Sequence, residues 1–157
     1  MTLYTLVLWF YAVMASLVFG ASVYETLVVH PAWSRKPPDS FRGFMGEPVS
    51  RMNIPAFWMP VAPLYALSAL AALGLAFLAG SQGTALTVST ACAVAAVAWT
   101  LLYFRPTIER FLVTGGGDTP PEHLQIAAHR WIQRNWIRTA LVAISWWGVL
   151  SAVARHG

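Results

Sequence analysis

The chain has 157 residues, of which 57% are hydrophobic and 10% are charged, and its formal net charge is +4. Because a soluble domain usually carries about 25% charged residues, this chain lacks the polar side chains to cover a water-facing surface. The composition therefore excludes a soluble globular domain and predicts a single integral membrane domain over residues 1–157.

Three long runs of the sequence carry no charge: residues 1–24, 52–104 and 139–154. A membrane-spanning helix needs about 20 apolar residues, and the turn-forming "AGSQG" divides the middle run in two. The pattern predicts an all-α bundle of four transmembrane helices, at about 3–29, 56–79, 84–112 and 120–154. The first is not a cleavable signal peptide, because no lysine or arginine precedes it and its apolar run is too long.

The charges lie at one end of this bundle. Residues 25–55 and 105–138 hold nine of the ten basic residues and all six acidic ones. We call this the polar end, and the opposite end, with both termini and the 80–83 turn, the plain end. The positive-inside rule places the polar end in the cytoplasm and both termini outside, and we expect the membrane to be the bacterial inner membrane.

The fourth helix is predicted to be long. Thr119 and Glu122 have the spacing of a capping box, which puts Pro120 at the first helical position. A helix from Pro120 to Ala154 would be about 52 Å long, whereas the hydrocarbon core measures about 30 Å. Its first turns must therefore extend beyond the membrane, and Arg138 must lie at or just inside the hydrocarbon boundary.

One stripe of this helix carries polar residues to membrane depth. Trp131, Asn135, Arg138 and Val142 follow one another at spacings of four, three and four, so they share a face. Arginine can snorkel to the lipid headgroups. An asparagine and an arginine on one face favour an orientation toward the other helices, because unpaired polar groups are costly in lipid.

The end of the first helix reads "YETLVVHPAW". Glu25 is the best acidic partner for Arg138, either as a structural ion pair or as a buried carboxylate that moves protons. Pro31 is predicted to stop the helix, which leaves His30 and Trp33 at its mouth. His30 can exchange a proton near neutral pH.

Two further segments border the same end. In "RMNIPAFWMPVAP", Asn53 and Trp58 stand beside prolines that either punctuate the helix or shape an apolar, aromatic cavity. In "YFRPTIERFL", Pro106 is predicted to bend or interrupt the third helix, and Arg105 and Glu109 have the spacing of a helical ion pair.

The layout resembles the anthrone oxygenase-like family of small four-helix membrane proteins. The residues that carry the resemblance are "HPAW" after helix 1, "RPTIERFL" after helix 3, and "RWIQRNWIRTAL" with its W-x3-N-x2-R spacing. The sequence departs from the family's usual P-x-N form, because Glu109 follows Pro106 without an asparagine. The resemblance implies the fold and, for the relatives near anthrone oxygenase, oxidation of a phenolic anthrone by dioxygen.

The residues at the polar end suit that chemistry. Removing a proton from an anthrone-like carbon acid requires a base, donors for the developing oxyanion and a dry aromatic cavity. We predict His30 as the base with Glu25 as its competitor, and Asn135 and Arg138 as donors. The predicted substrate-binding residues are Trp33, Asn53, Trp58, Arg105 and Trp131. No cofactor is predicted for this cofactor-free oxidation.

Other functions remain open. No metal-ligand motif is present, and the alternative cofactor is a haem held by His30 and His129. A non-catalytic membrane subunit, or a module that binds a lipid, quinone or haem, is the alternative to an enzyme. The expected partners are membrane lipids and a hydrophobic small molecule, not nucleic acid. Small residues around Gly148 are compatible with a homo-oligomer.

Overall fold

Four long helices make up the part of the chain that the computed structural model describes, residues 1–37, 39–40, 54–81, 83–113 and 120–156. Helix α1 covers residues 3–33 in three consecutive segments, Leu3–Tyr24, a π-helical Glu25–Val29, and His30–Trp33. Helix α2 is Ile54–Leu78. Helix α3 covers residues 84–113 as Thr84–Trp99, a π-helical Thr100–Phe104, and Arg105–Val113. Helix α4 is Pro121–His156.

All four helices are long and apolar enough to cross a membrane. The described residues contain no strand, so the predicted all-α, four-helix integral membrane protein is confirmed. At 36 residues, α4 is about 54 Å long, which exceeds the hydrocarbon thickness of about 30 Å. It begins at Pro121, one residue after the predicted position, and Thr119 of the predicted capping box lies outside the described residues.

Prolines within α1 and α3 do not end these helices, which corrects the prediction for Pro31. In both cases the backbone widens into a π-helical turn just before the proline, where His30 N–H donates to the Glu25 carbonyl and Arg105 N–H to that of Thr100. A proline supplies no N–H and its ring clashes with the carbonyl four residues back. The wider turn accommodates both effects, and the helix continues.

The helices form a closed ring in which α1 packs against α2 and α4, and α3 packs against α2 and α4. Small residues line the centre, among them Ala69, Ala72 and Ala76 on α2 and Ala93 and Ala96 on α3. Small side chains let membrane helices approach closely, so that dispersion contacts hold the bundle together.

Gly148 lies at a close approach of α3 and α4. A Cβ atom at this position would lie 2.8 Å from the Ala85 carbonyl oxygen and 2.8 Å from Ser89 Cβ. Gly148 therefore permits close packing of α3 against α4 within one chain, and it is no longer an argument for a surface that joins two copies of the chain. The homo-oligomer stays a prediction.

Candidate functional site

The polar stripe of α4 turns toward the other helices. Asn135 has no exposed surface, and Trp131 and Arg138 are only 5% and 7% exposed. Arg138 therefore does not snorkel away from the bundle, and its charge must be balanced by neighbouring polar groups. Those groups come from all four helices. Together with Arg138 they form what we call the Arg138 cluster: Glu25, Thr26, His30, Trp58, Thr100, Asn135, Arg138 and Thr139.

Asn135 is the hub of this cluster. Its Oδ1 accepts from Arg138 Nε at 2.8 Å, while its Nδ2 lies 2.9 Å from Thr26 Oγ1 and 3.2 Å from His30 Nδ1. Thr26 in turn donates to the Ser22 carbonyl at 2.6 Å and lies 3.2 Å from Thr139 Oγ1. One carboxamide thus joins α4 to α1 through two hydrogen bonds and accepts a third within α4.

The arginine fixes the direction of every bond at this hub. Guanidinium nitrogens can only donate, so the Asn135 atom facing Arg138 must be its oxygen, and the amide nitrogen must face His30. His30 Nδ1 then has to accept a hydrogen bond, which puts the proton of the neutral ring on Nε2. Thr26 donates to a carbonyl and therefore receives the second amide proton of Asn135.

Arg138 also contacts α2 and α3. Its Nη1 donates to Thr100 Oγ1 at 3.3 Å, and its Cζ lies 5.3 Å from the Phe104 ring centroid and 5.8 Å from that of Trp58. Aromatic faces at these distances stabilise a cation electrostatically. The guanidinium therefore has a polar partner on α3 and aromatic partners on α2 and α3.

Glu25 is the carboxylate of this cluster. Its Oε1 accepts from Trp58 Nε1 at 2.6 Å, and its Oε2 lies 3.9 Å from Arg138 Nη2. The second distance is too long for a hydrogen bond, so the two groups form an ion pair without direct contact. Their side chains remain 17% and 9% exposed.

Trp131 closes the aromatic side of the cluster. Its ring meets the rings of His30 and Phe104 edge-on, at centroid distances of 4.7 and 5.2 Å. Its Nε1 donates to the Phe104 carbonyl at 3.5 Å. These contacts hold His30 against α4 and exclude lipid from this part of the cluster.

The two π-helical turns aim side chains at the site. The segments "ETLVVHP" and "TLLYFRP" each begin with a residue that interacts with Arg138, Glu25 through an ion pair and Thr100 through a hydrogen bond, and each reaches its proline six residues later. A π-turn shifts the helical phase by one residue, and such turns are frequent at functional sites. Glu25 and Thr26 lie in the first of these turns, and Thr100 lies in the second.

The structure brings together most, but not all, of the predicted site residues. Glu25, His30, Trp58, Trp131, Asn135 and Arg138 meet at the cluster. Arg105 instead pairs with Glu109 at 2.9 Å on the exposed surface. Asn53 and the Trp33 side chain lie outside the described residues.

The proposed pair of haem ligands does not converge. His30 is buried against Trp131, whereas His129 is exposed on α4. His129 lies two residues before Trp131, and side chains at this spacing in a helix point about 200° apart around the axis. His129 therefore points away from the side of α4 on which Trp131 meets His30. No group of three or more His, Cys, Asp or Glu side chains gathers into a metal site among the described residues.

A second buried polar network was not foreseen from the sequence. It takes one residue from each helix, and we call Tyr11, Tyr65, Ser89 and Ser145 the Tyr–Ser cluster. Tyr65 donates to Ser145 Oγ at 2.6 Å, and Ser89 donates to the Ser145 carbonyl at 2.6 Å. Tyr11 lies 2.8 Å from Ser145 Oγ and 2.7 Å from Ser89 Oγ. All four residues are at most 1% exposed.

These features define a four-helix integral membrane protein with a buried, charged cluster near its polar end. Comparisons with protein-family models, with curated proteins and with solved structures found no match to this chain. The likeness to the anthrone oxygenase-like family thus rests on the sequence motifs alone, and the function must be argued from the site.

Proposed function

We propose that the chain binds a hydrophobic phenolic compound at the Arg138 cluster and oxidises it with dioxygen. The observation that carries the proposal is the 3.9 Å separation between Glu25 Oε2 and Arg138 Nη2. A phenolic hydroxyl beside this pair would donate to the carboxylate and accept from the guanidinium, with each bond at about 2.8 Å. Trp58 and Phe104, which flank the guanidinium, would contact the aromatic rings of the compound.

The geometry favours Glu25 over His30 as the base. His30 Nδ1 faces the Asn135 amide, and its proton resides on Nε2, so neither ring nitrogen offers a lone pair to a substrate. Among the described residues, none makes a hydrogen bond to Glu25 Oε2. In the proposed arrangement His30 and Asn135 position Arg138, and Arg138 stabilises the oxyanion.

The proposed reaction balances without a bound cofactor. Glu25 removes the hydroxyl proton from the phenolic enol tautomer of the anthrone, and the resulting phenolate, which Arg138 contacts, shares its negative charge with the ring carbon that is the activated methylene of the anthrone. The carbanion gives electrons to dioxygen and a carbon–oxygen bond forms. The peroxide takes the proton that Glu25 holds, and Glu25 then removes the remaining hydrogen of that carbon as the oxygen–oxygen bond breaks. The hydroxide that leaves takes up this proton, so that one methylene and one dioxygen give one carbonyl group and one water.

An oxygen electrode tests this proposal with an anthrone as the probe and the protein in lipid nanodiscs. Wild type should consume dioxygen, and Glu25→Gln should lower kcat by about 100-fold or more, because a general base contributes at least that factor. Arg105→Gln, which alters only an exposed ion pair, is the matched control and should retain activity. If Glu25→Gln turned over at the wild-type rate, the assignment would be wrong.

A non-catalytic module for a quinone or lipid is the second candidate. It is favoured by the closed hydrogen bonding around Asn135, which satisfies the amide without a ligand. In that case a quinone would quench Trp58 fluorescence in wild type but not in Arg138→Gln, and no oxygen uptake would accompany binding. An absorption spectrum of purified protein separates both candidates from a haem protein.

The location follows the same reasoning from charge. We propose that the polar end faces the cytoplasm of a bacterium with both termini outside, because nine of the ten basic residues lie at that end. The phenolic compound would then enter from the inner leaflet. Cysteine labelling at Ser81, in the turn of the plain end, should proceed from outside in whole cells.

A further inference from the structure

A groove runs along the outside of the bundle where α3 and α4 meet near the plain end. It is lined by Ala85 of α3 and by residues of α4 from Ala143 to Arg155, and its volume is about 540 Å³. Pockets that hold small ligands have volumes of about 300–1,000 Å³. Ser151 also lines the groove, but its hydroxyl donates to the Trp147 carbonyl at 2.8 Å. The walls are therefore apolar, except at Arg155.

The groove lies beside the hydrocarbon of one leaflet. Its residues from Ala143 to Ser151 belong to the charge-free run 139–154, and this part of α4 is about 12 Å long. One leaflet contributes about half of the roughly 30 Å hydrocarbon core. Ile144 and Trp147, which line the groove, are 48% and 68% exposed. An acyl chain that extends along α4 therefore matches the groove in length, direction and polarity.

Arg155 adds a positive charge to this apolar groove. Its Nε donates to the Ser151 carbonyl at 3.1 Å, so the guanidinium folds back along α4 toward the groove. In the part of the chain that the structure describes, no acidic side chain pairs with Arg155, and its two Nη nitrogens make no hydrogen bond. A guanidinium with available Nη groups can hold a phosphate through two parallel hydrogen bonds.

We propose that the groove binds an anionic phospholipid of the leaflet at the plain end. Its phosphate pairs with Arg155, and one acyl chain passes Trp147 and Gly148 to reach Ala143. Charge complementarity selects this occupant. A second copy in the same orientation would bring no acidic side chain to Arg155, because all six lie in residues 25–55 and 105–138. The inference is independent of the proposed oxidation, which takes place at the polar end.

Paramagnetic broadening of the Trp147 indole signal in NMR tests the site. The protein carries ¹⁵N in its tryptophan indoles and is placed in phosphatidylcholine nanodiscs, and Trp147→Phe assigns the signal. Phosphatidylglycerol with a nitroxide on its acyl chain should broaden this signal about fivefold more than phosphatidylcholine with the same chain, because one basic residue near an anionic lipid contributes about that factor.

Trp9 is the internal reference for lipid contact without a charge. Tyr11 lies 2.8 Å from Ser145, and Trp9 and Trp147 are each two residues nearer the plain end, so they share one depth. Trp9 is 48% exposed on α1. The two labelled lipids should broaden its signal equally.

Two variants separate the charge from the groove. Arg155→Gln should abolish the preference of Trp147 for phosphatidylglycerol, whereas Arg134→Gln, at the polar end, should leave that preference unchanged. Ser151→Leu fills the groove and should reduce broadening by both lipids, and Ala143→Leu serves if that variant does not fold.

Three results would overturn the proposal. The first is equal broadening of wild-type Trp147 by the two lipids, and the second is a preference that survives Arg155→Gln. The third is no broadening by either lipid together with a disulfide-linked dimer of Trp147→Cys, which would show that a second copy covers the groove.

Discussion

Removing the Asn135 carboxamide should destabilise the bundle more than any single neutral hydrogen bond would. Asn135→Ala deletes two bonds to neutral groups, Thr26 and His30, and one to the charged Arg138. In membranes a neutral bond contributes about 0.6–1.7 kcal/mol, and a bond to a charged group contributes about 1.5–3 kcal/mol. The sum gives an expected loss of about 3–6 kcal/mol in the free energy of unfolding.

Equilibrium unfolding by steric trapping in bicelles measures this loss. Asn135→Asp provides a graded comparison, because it keeps an acceptor for Arg138 but loses both donors, and should fall between wild type and the alanine variant. Gln133→Ala removes a carboxamide from the exposed face of α4 and should change stability by less than about 0.5 kcal/mol. A loss below about 1 kcal/mol for Asn135→Ala would refute the role of Asn135 as the hub.

Three further predictions concern packing and charge. Gly148→Ala should lower the free energy of unfolding by about 1–3 kcal/mol, because its Cβ would lie 2.8 Å from the Ala85 carbonyl oxygen. Gly74→Ala is the control in the same unfolding assay and should not destabilise, because a Cβ there would have no atom within 4 Å. Tyr65→Phe should cost about 1 kcal/mol through the lost bond, while Tyr24→Phe on the exposed surface should be neutral; equal effects would argue against the Tyr–Ser cluster. Arg138→Lys should lower both the rate of anthrone oxidation and the free energy of unfolding, because a single ammonium cannot reproduce the fork of donors of the guanidinium. A wild-type rate and a wild-type stability would contradict this prediction.

Much of the fold could be predicted from the sequence, because the apolar runs and their lengths determine the number of membrane helices. The inward stripe of α4 was also visible, since Asn135 and Arg138 fall on one face and neither tolerates lipid. Glu25 followed as the partner because it ends an apolar run at the same end of the bundle. These inferences need only helical spacing and the cost of burying polar groups.

The rest depended on which helices become neighbours. Tyr11, Tyr65, Ser89 and Ser145 each lie in a different apolar run or helix, and nothing in their spacing predicts that all four meet. Their signal was faint: Ser145 lies seven residues after Arg138 and continues the same heptad face.

The prolines misled for a related reason. Pro31 was predicted to end α1 by the rule that holds in water, but within a packed membrane bundle a wider turn absorbs the missing N–H. The same rule hid the two π-helical turns, which contain Glu25 and Thr100. A proline at the end of a membrane helix can thus follow a wider turn instead of ending the helix.

The most direct test of the account asks where the Arg138 guanidinium lies. Dipolar recoupling in solid-state NMR between arginine Cζ and lipid phosphorus distinguishes a buried guanidinium from one at the headgroups. Arg134, which is exposed and stacks on Tyr103 at 4.8 Å, is the reference on the same helix. The account predicts phosphorus contact at Arg134 and none at Arg138; equal contact at both would show that Arg138 reaches the headgroups, and the cluster described above would not exist.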